Sequence, residues 1–267
     1  MKIYSYTLQG KRDSNEDQHV HYINLNGENS KLNKINFIGV FDGHGGKSIS
    51  KYLKQNLPQF FINKFNKDLY NNPEQAAKYF IKVYNLIQEK MCKTHPRIVN
   101  HCGSTACIGI HYKNNENSDR LWILNVGDSR AIKCNKLNIA EQLTQDHKPN
   151  LTTERIRIEE LGGKIEFDGS DWRVNNLSLS RAFGDMDCVP YITHIPQIFK
   201  YKINSSDKFL IFACDGLWDV VSNQDAVDFI NDKISNNFNG NLSKELADYA
   251  YNKGSMDNIT VIVYLLS

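Results

Sequence analysis

Three acidic residues stand where apolar segments of the sequence begin or end, and carboxylates in such positions can act together. Asp42 and Asp215 each follow an apolar run and precede a glycine, and Asp257 comes just before the apolar run at 258–266. If these runs are strands, their ends can converge at one edge of a sheet. Converging carboxylates repel each other and are costly to bury unless cations neutralise them. The pattern therefore favours a site for Mg²⁺ or Mn²⁺, which take oxygen ligands.

The stretch FDGHGGKS at 41–48 has two other interpretations. Its end resembles a nucleotide-binding P-loop, but that pattern requires glycine where Phe41 stands, and Asp42 would place negative charge beside the phosphates. A single Asp-Gly is more simply a tight turn. The second Asp-Gly at Asp215 favours the metal interpretation, in which the carbonyl of Gly43 could approach an ion without a Cβ in the way.

The segment KRDSNEDQ near the N-terminus supplies Arg12, Glu16 and Asp17. Taken alone, it is a solvated charged turn. Beside a metal centre, the planar fork of Arg12 would match a phosphate, and the two carboxylates could hold water bound to the ions.

Hydrophobic periodicity predicts the elements that must position these residues. We expect strands at 3–8 and 18–25, which could pair with each other, and at 36–41, 104–112, 120–134, 208–214 and 258–266. Helices are expected at 47–66, 74–94, 152–161, 223–235 and 243–252, and irregular structure at 164–208. Strands and helices in blocks indicate an α+β fold, with antiparallel sheet covered by helices. The chain shows neither repeats nor a linker, so we expect one domain over 1–267.

Composition argues against several classes of function. The 267 residues are 40% hydrophobic and 23% charged, with a net charge of +2 and no basic run, so we expect no nucleic-acid partner. The N-terminus has no apolar signal core, and the C-terminal apolar run is too short to span a bilayer, so no membrane association is expected. Six scattered cysteines without C-x-x-C indicate reduced thiols. We expect a monomer in the cytoplasm, the nucleus or both.

Eight segments, in this order, resemble the motifs of the metal-dependent Ser/Thr protein phosphatases of type 2C: RDSNEDQ, GVFDGHGG, GSTA, LNVGDSRA, LTQDHKP, LSLSRAFGD, ACDGLWDV and DNITVIV. The resemblance runs from about residue 10 to the C-terminus. It implies a four-layer αββα sandwich of two antiparallel sheets flanked by helices. It also implies a variable flap beside the site, at about 148–190. Asn176 stands where many members have glycine, and asparagine also tolerates left-handed backbone.

The resemblance also implies a role for each candidate residue. Two Mg²⁺ or Mn²⁺ ions would be bridged by Asp42 and bound by the Gly43 carbonyl, Asp215 and Asp257, with Glu16 and Asp17 holding metal-linked water. Arg12 would bind the substrate phosphate, and His44 would be the general acid. Asp128 and Asp219 match positions linked to a third ion in some members. The expected reaction is direct in-line attack of a metal-activated bridging water on phosphoserine or phosphothreonine of a phosphoprotein, without a phosphoenzyme intermediate.

Other functions remain open on the sequence. The chain could be a pseudoenzyme that binds a partner, although the residues Asp42, Asp215 and Asp257 are all present. It could also hydrolyse a small phosphate ester or nucleotide, and a nucleic-acid-binding module is a remote alternative. A cysteine phosphatase would need C-x₅-R, and none of the six cysteines has arginine at that spacing.

Overall fold

The computed structural model describes residues 1–23, 35–62 and 66–266. In chain order, the strands are β1 (Lys2–Leu8), β2 (Gln18–Tyr22), β3 (Ile35–Phe41), β4 (Gly43–His44), β5 (Gly103–Ser104), β6 (Ala106–Lys113), β7 (Asp119–Val126), β8 (Arg130–Cys134), β9 (Ala140–Gln142), β10 (Glu166–Phe167), β11 (Trp172–Arg173), β12 (Phe183–Gly184), β13 (Gln197–Lys202), β14 (Phe209–Ala213) and β15 (Ile259–Leu265). The helices are α1 (Ser48–Ile62), α2 (Lys67–Asn71), α3 (Pro73–Thr94), α4 (Thr152–Glu160), α5 (Asp215–Trp218), α6 (Asn223–Ser235) and α7 (Leu242–Asn252), with a 3₁₀ turn at Met186–Cys188.

Two five-stranded sheets form the centre of the molecule. One has the strand order β1-β15-β14-β8-β9 and the other β13-β7-β6-β3-β2, and every neighbouring pair is antiparallel. Side chains such as Val40 and Ile123 from one sheet, and Phe212 and Ile262 from the other, are fully buried in a single cluster. The two sheets therefore pack face to face.

Helices cover the outer face of each sheet. Phe61 of α1 and Phe80 of α3 are buried with Phe37 of β3, and Leu246 of α7 is buried with Val261 of β15. Each such side chain stabilises the fold by about 1.5–3 kcal/mol when it is removed from water. The α+β prediction and the four-layer αββα arrangement are confirmed.

Local sequence explains where the main covering helices begin. The side chain of Asn72 accepts a hydrogen bond from the backbone of Gln75, and Pro73 occupies the first turn of α3. Ser222 and Asn241 cap α6 and α7 in the same way. These side chains satisfy backbone N–H groups that have no partner within the helix.

Three expectations about strands were wrong. The strands β1 and β2 do not pair with each other, because β1 lies beside β15 and β2 beside β3. Residues 120–134 form two strands in different sheets, separated at 127–129. The segment 164–208, expected to be irregular, contains the edge strand β13. Residues 24–25 of the second expected strand and 63–65 of the first expected helix lie outside the described residues.

No helix within the described ranges combines the length and the apolar content needed to cross a membrane.

Candidate active site

A cleft of about 480 Å³ opens at one end of the sandwich, where the predicted acidic residues meet. Asp42 follows β3, Asp128 follows β7, Asp215 follows β14, and Asp257 precedes β15. All four line the cleft, together with Arg12, Glu16, Gly43 and His44. The antiparallel order of the two sheets brings these strand ends to one place.

Asp42 lines the cleft, and Asp17 is buried beside it. Their carboxylate oxygens and the Cys214 sulfur lie within 4.8 Å of one another. Burial, more than any neighbouring charge, raises the pKa of Asp17 to about 6. Burial, followed by repulsion from nearby carboxylates, raises the pKa of Asp42 well above its usual range. The ionised forms of these side chains are therefore poorly solvated, and a bound cation would stabilise them.

Cys214 belongs to this group by position but not by chemistry. Its Sγ donates to the carbonyl of Asn258 and accepts the N–H of Thr260. Burial raises the pKa of the thiol well above its ordinary value, so the sulfur is a neutral packing group. The donors that remain are oxygens, which suit hard divalent ions.

Two further carboxylates complete the acidic wall. Asp215 begins α5, and Asp128 is 2% exposed in the turn between β7 and β8. One carboxylate oxygen of each, and one of Asp17, is buried without a hydrogen-bond partner. Since buried polar atoms are nearly always paired, these oxygens fit a site that takes a cation. The other oxygen of Asp128 accepts a hydrogen bond from Lys148 Nζ at 2.5 Å.

Asp257 and Arg12 form an ion pair at the mouth of the cleft, with 2.6 Å between Nη2 and Oδ2. The next residue, Asn258, ties the N-terminal segment to this edge. Its side-chain amide donates to the carbonyls of Gln9 and Ser14, and its oxygen accepts the N–H of Glu16. The chain between β1 and β2 is thereby fixed at the cleft. It supplies Arg12 and Glu16 to the cleft lining, and Asp17 to the buried group beside it.

Gly43 is required by close backbone approach. A Cβ there would lie 2.5 Å from the carbonyl oxygen of Glu16 and 2.8 Å from Ser50 Oγ. Glu16 in turn accepts the N–H of Gly46 through its side chain at 2.9 Å. The Asp-Gly-His-Gly-Gly turn and the N-terminal acidic segment are thus locked together.

His44 lies on the wall of the cleft, and its Nε2 is 2.7 Å from the buried carboxylate of Asp185. Burial of the ring lowers its pKa, but the hydrogen bond and charge of Asp185 outweigh this effect and raise the pKa of His44. The geometry favours an imidazole that carries a proton.

The expected flap forms one side of the cleft through Arg173, Leu177 and Leu179. Glu154 of α4 anchors it, since its buried carboxylate accepts hydrogen bonds from Arg157 and Arg181. Asn176 has a φ of 68°, so asparagine here adopts the left-handed backbone that glycine would supply. Asp219, at the end of α5, is exposed and does not line the cleft.

Comparison with known proteins identifies the family. The model of the family described as Protein phosphatase 2C matches residues 2–259. The chain belongs to the protein phosphatase 2C family. It is therefore a member of a family of serine/threonine phosphatases, which are metal-dependent hydrolases of phosphoproteins.

One sequence relative covers nearly all of this phosphatase 2C, and another covers little more than half of it. It is 40% identical over 262 residues to a probable protein phosphatase 2C 59 of Arabidopsis thaliana, which covers 97% of this chain and 78% of the relative. A PP2C-like domain-containing protein of Acanthamoeba polyphaga mimivirus is 39% identical over 177 residues, covering 58% of this chain and 98% of the viral protein.

Solved structures share the fold. A C. elegans sex determining protein superposes with a TM-score of 0.86 at 28% identity, covering 100% of this chain and 65% of that one. A serine-threonine phosphatase 2C from Toxoplasma gondii has a TM-score of 0.82 at 23% identity, covering 98% and 94% of the two chains. This second likeness shows a common fold.

Three residues at the site of this phosphatase 2C received no role in the sequence analysis. Asp185 contacts His44, Lys148 contacts Asp128, and Asn258 holds the N-terminal segment. All three lie within segments that carried the family resemblance. Only their contacts, made by residues distant in the chain, distinguish them from ordinary charged or polar loop residues.

Proposed function

We propose that this protein is a Mg²⁺- or Mn²⁺-dependent serine/threonine protein phosphatase in which water attacks phosphorus directly. One observation carries the proposal: Asp128 and Asp215 in the cleft, and Asp17 buried beside it, each leave a buried carboxylate oxygen without a hydrogen-bond partner, in a chain of the phosphatase 2C family. The proposed ligands of two ions are Asp42, Gly43, Asp215 and Asp257.

The remaining acidic residues would act around these ligands. We assign Glu16 and Asp17 to metal-linked water, and Asp128 and Asp219 to a third ion. Asp219 does not line the cleft, but partial burial and the nearby charge of Asp128 raise its pKa, so the two carboxylates are neighbours. The pair between Lys148 and Asp128 bears on this last assignment, because a third cation would compete with the Lys148 ammonium for the same carboxylate. When bound, the ions would supply positive charge to the phosphoryl oxygens and make a water nucleophilic near neutral pH.

The chain's own groups would bind the phosphate and release the alcohol. Arg12 has a 60% exposed side chain paired with Asp257, so its guanidinium can turn to a phosphate at the cleft mouth. His44 would donate a proton to the serine or threonine oxygen as the P–O bond breaks, because an alkoxide is a poor leaving group without one. Neither step needs a side-chain nucleophile.

We further propose that residues 1–267 act as one domain, with 148–190 as a flap that contributes to substrate choice. The flap has a small core of its own around Ile158, Val174 and Leu179, and its Arg173 reaches the catalytic cleft. Phosphoprotein substrates are implied by the family. A monomeric state and a cytoplasmic or nuclear setting are our proposals from the sequence.

The test is hydrolysis of a phosphothreonine peptide by the purified protein with Mn²⁺, with EDTA, and with the Asp42→Ala variant. We expect activity with Mn²⁺ only, and a loss of at least about 100-fold in Asp42→Ala, because the cleft then lacks its central carboxylate. Asp232→Ala is the matched control, because Asp232 is exposed on α6 and lies outside the cleft, and this variant should keep full activity. Equal rates in Asp42→Ala and wild type would disprove the site, and an inactive folded wild type with Mn²⁺ would favour a partner-binding pseudoenzyme.

A further inference from the structure

A small three-stranded sheet brings Asp185 to His44 across the chain. Its order is β12-β5-β4, and Gly103 of β5 is the register partner of both His44 in β4 and Gly184 in β12. Asp185 is the residue immediately after β12. The two side chains therefore meet over Gly103 although they are 141 residues apart in sequence.

Gly103 leaves the space in which this pair forms. A Cβ on Gly103 would overlap both the Asp185 carboxylate and the His44 ring nitrogen. Any other residue at this position would push the two partners apart. The backbone conformation of Gly103 does not itself require glycine. The residue is explained instead by the His44 and Asp185 side chains, which meet above it.

Asp185 is built into the scaffold and does not face the cleft. Its side chain is 3% exposed, whereas that of His44 is 26% exposed and lines the cleft. The Asp185 N–H donates to the carbonyl of Cys102, and its own carbonyl accepts the N–H of Cys188. Gln88 of α3 exchanges two hydrogen bonds with the backbone of Gly184, which fixes the approach to Asp185.

We propose that Asp185 is a positioning residue for His44. Its carboxylate accepts the Nε2 proton and fixes the ring, which leaves Nδ1 as the nitrogen that gives a proton to the leaving oxygen. This inference rests on the proposed phosphatase function and on the acid role of His44. In the step concerned, a P–O bond to water forms and the P–O bond to the serine or threonine oxygen breaks. His44 protonates that oxygen, and a proton released by the attacking water replaces the one that His44 gave up.

The test compares two leaving groups in the Asp185→Asn variant. Asparagine keeps the size of the side chain but removes its charge. We expect kcat to fall roughly 10- to 100-fold on a phosphothreonine peptide, whose alkoxide needs a proton. On p-nitrophenyl phosphate, whose phenolate leaves without one, we expect less than about a 3-fold change. KM and Mn²⁺ binding by calorimetry should stay at wild-type values.

A double-variant cycle separates positioning from a general structural effect. If Asp185 acts through His44, the variant that combines Asp185→Asn with His44→Gln should be no slower than His44→Gln alone. Multiplied losses, or equal losses on the two substrates, would overturn the assignment. A wild type that fails to hydrolyse the peptide with Mn²⁺ would overturn the phosphatase function as well, so the two failures are distinguishable.

Two further variants make the result independent of how Asp185→Asn folds. Gly103→Ala inserts a methyl group between the partners and should reproduce the selective loss on the peptide. Asp187→Asn changes a neighbouring aspartate whose partner, His101, is 77% exposed, and this matched control should leave both activities unchanged. A Gly103→Ala protein with wild-type rates on both substrates would also contradict the proposal.

Discussion

At the scale of single residues, the acidic side chains of the site lower the stability of the metal-free protein. Burial and mutual repulsion raise the pKa values of Asp17, Asp42 and Asp215. A carboxylate with such neighbours costs free energy whenever it is ionised. The cluster of oxygens therefore suits cations but destabilises the metal-free protein. Such clusters, with shifted pKa values, are common at functional sites.

Removing the central carboxylate should stabilise the metal-free protein even as activity is lost. We expect Asp42→Ala to raise the free energy of unfolding in EDTA by about 1–2 kcal/mol, because one repelling charge disappears. Urea denaturation at pH 7.5, followed by intrinsic fluorescence, measures the change. Asp42→Asn is the isosteric comparison and should shift stability in the same direction. A loss of stability in both variants would show that Asp42 supports the fold.

At the scale of elements, the beginning of the flap is tied to the β7–β8 turn by a neutral histidine. His147 Nδ1 accepts the N–H of Gly127, and its Nε2 lies 3.1 Å from the side-chain oxygen of Gln197 in β13. One nitrogen accepts and the other donates, as in an uncharged imidazole. Burial, with the nearby charge of Arg181, lowers the pKa of His147 to about 4.

This histidine should make the protein sensitive to mild acid. The ordinary pKa of histidine is 6.5. Between pH 6.5 and about 4, His147 is therefore protonated in the unfolded state but stays neutral in the folded state. The contribution of the neutral His147 to the free energy of unfolding is fully present above pH 6.5 and is lost as the pH falls towards 4. The total loss is roughly 2–4 kcal/mol. Urea unfolding at pH 7.0 and 5.0 should show a smaller decrease for His147→Gln than for wild type.

The exposed His101 supplies the control for that experiment. His101→Gln makes the same substitution at a ring that is 77% exposed, so it controls for the replacement of a histidine by glutamine outside the buried site. If His147→Gln and wild type lost equal stability between the two pH values, the neutral buried imidazole would be refuted.

At the scale of the whole molecule, the cleft joins both sheets. The carboxylates that line it follow or precede strands of the two layers, with β3 in one sheet and β14 and β15 in the other. An ion held among them would bind only when the layers are packed together. Metal binding and global stability should therefore be linked.

We expect Mn²⁺ to raise the melting temperature by several degrees over the value in EDTA. At a concentration about 100 times the dissociation constant, a ligand of the folded state adds about 2.7 kcal/mol. For a chain of this size, 1 kcal/mol corresponds to roughly 2–4 °C. Differential scanning fluorimetry over a Mn²⁺ titration measures the shift. The Asp42→Ala protein should lose most of it, and an undiminished shift there would place the stabilising ion elsewhere.

Local sequence determines the positions of many strands and helices in this protein. Strands such as Ile35–Phe41 and Phe209–Ala213 are short apolar runs that end at an acidic residue, and the structure follows them closely. The helix α6 spans the predicted residues 223–235, because periodicity and the Ser222 cap act over a few positions. The convergence of Asp42, Asp215 and Asp257 could be expected for the same reason, since each stands at a strand end.

Only the tertiary structure decided which distant segments meet. The sequence predicted that β1 could pair with β2, but β1 pairs with β15, near the other end of the chain. The segment between β1 and β2 therefore does not form a hairpin turn, and it places Arg12 and Glu16 in the cleft. The contact between His44 and Asp185 likewise depends on the register of β4, β5 and β12. Strand pairing and buried ion pairs are long-range contacts whose free energy depends on the assembled core, so no local pattern in the sequence specifies them.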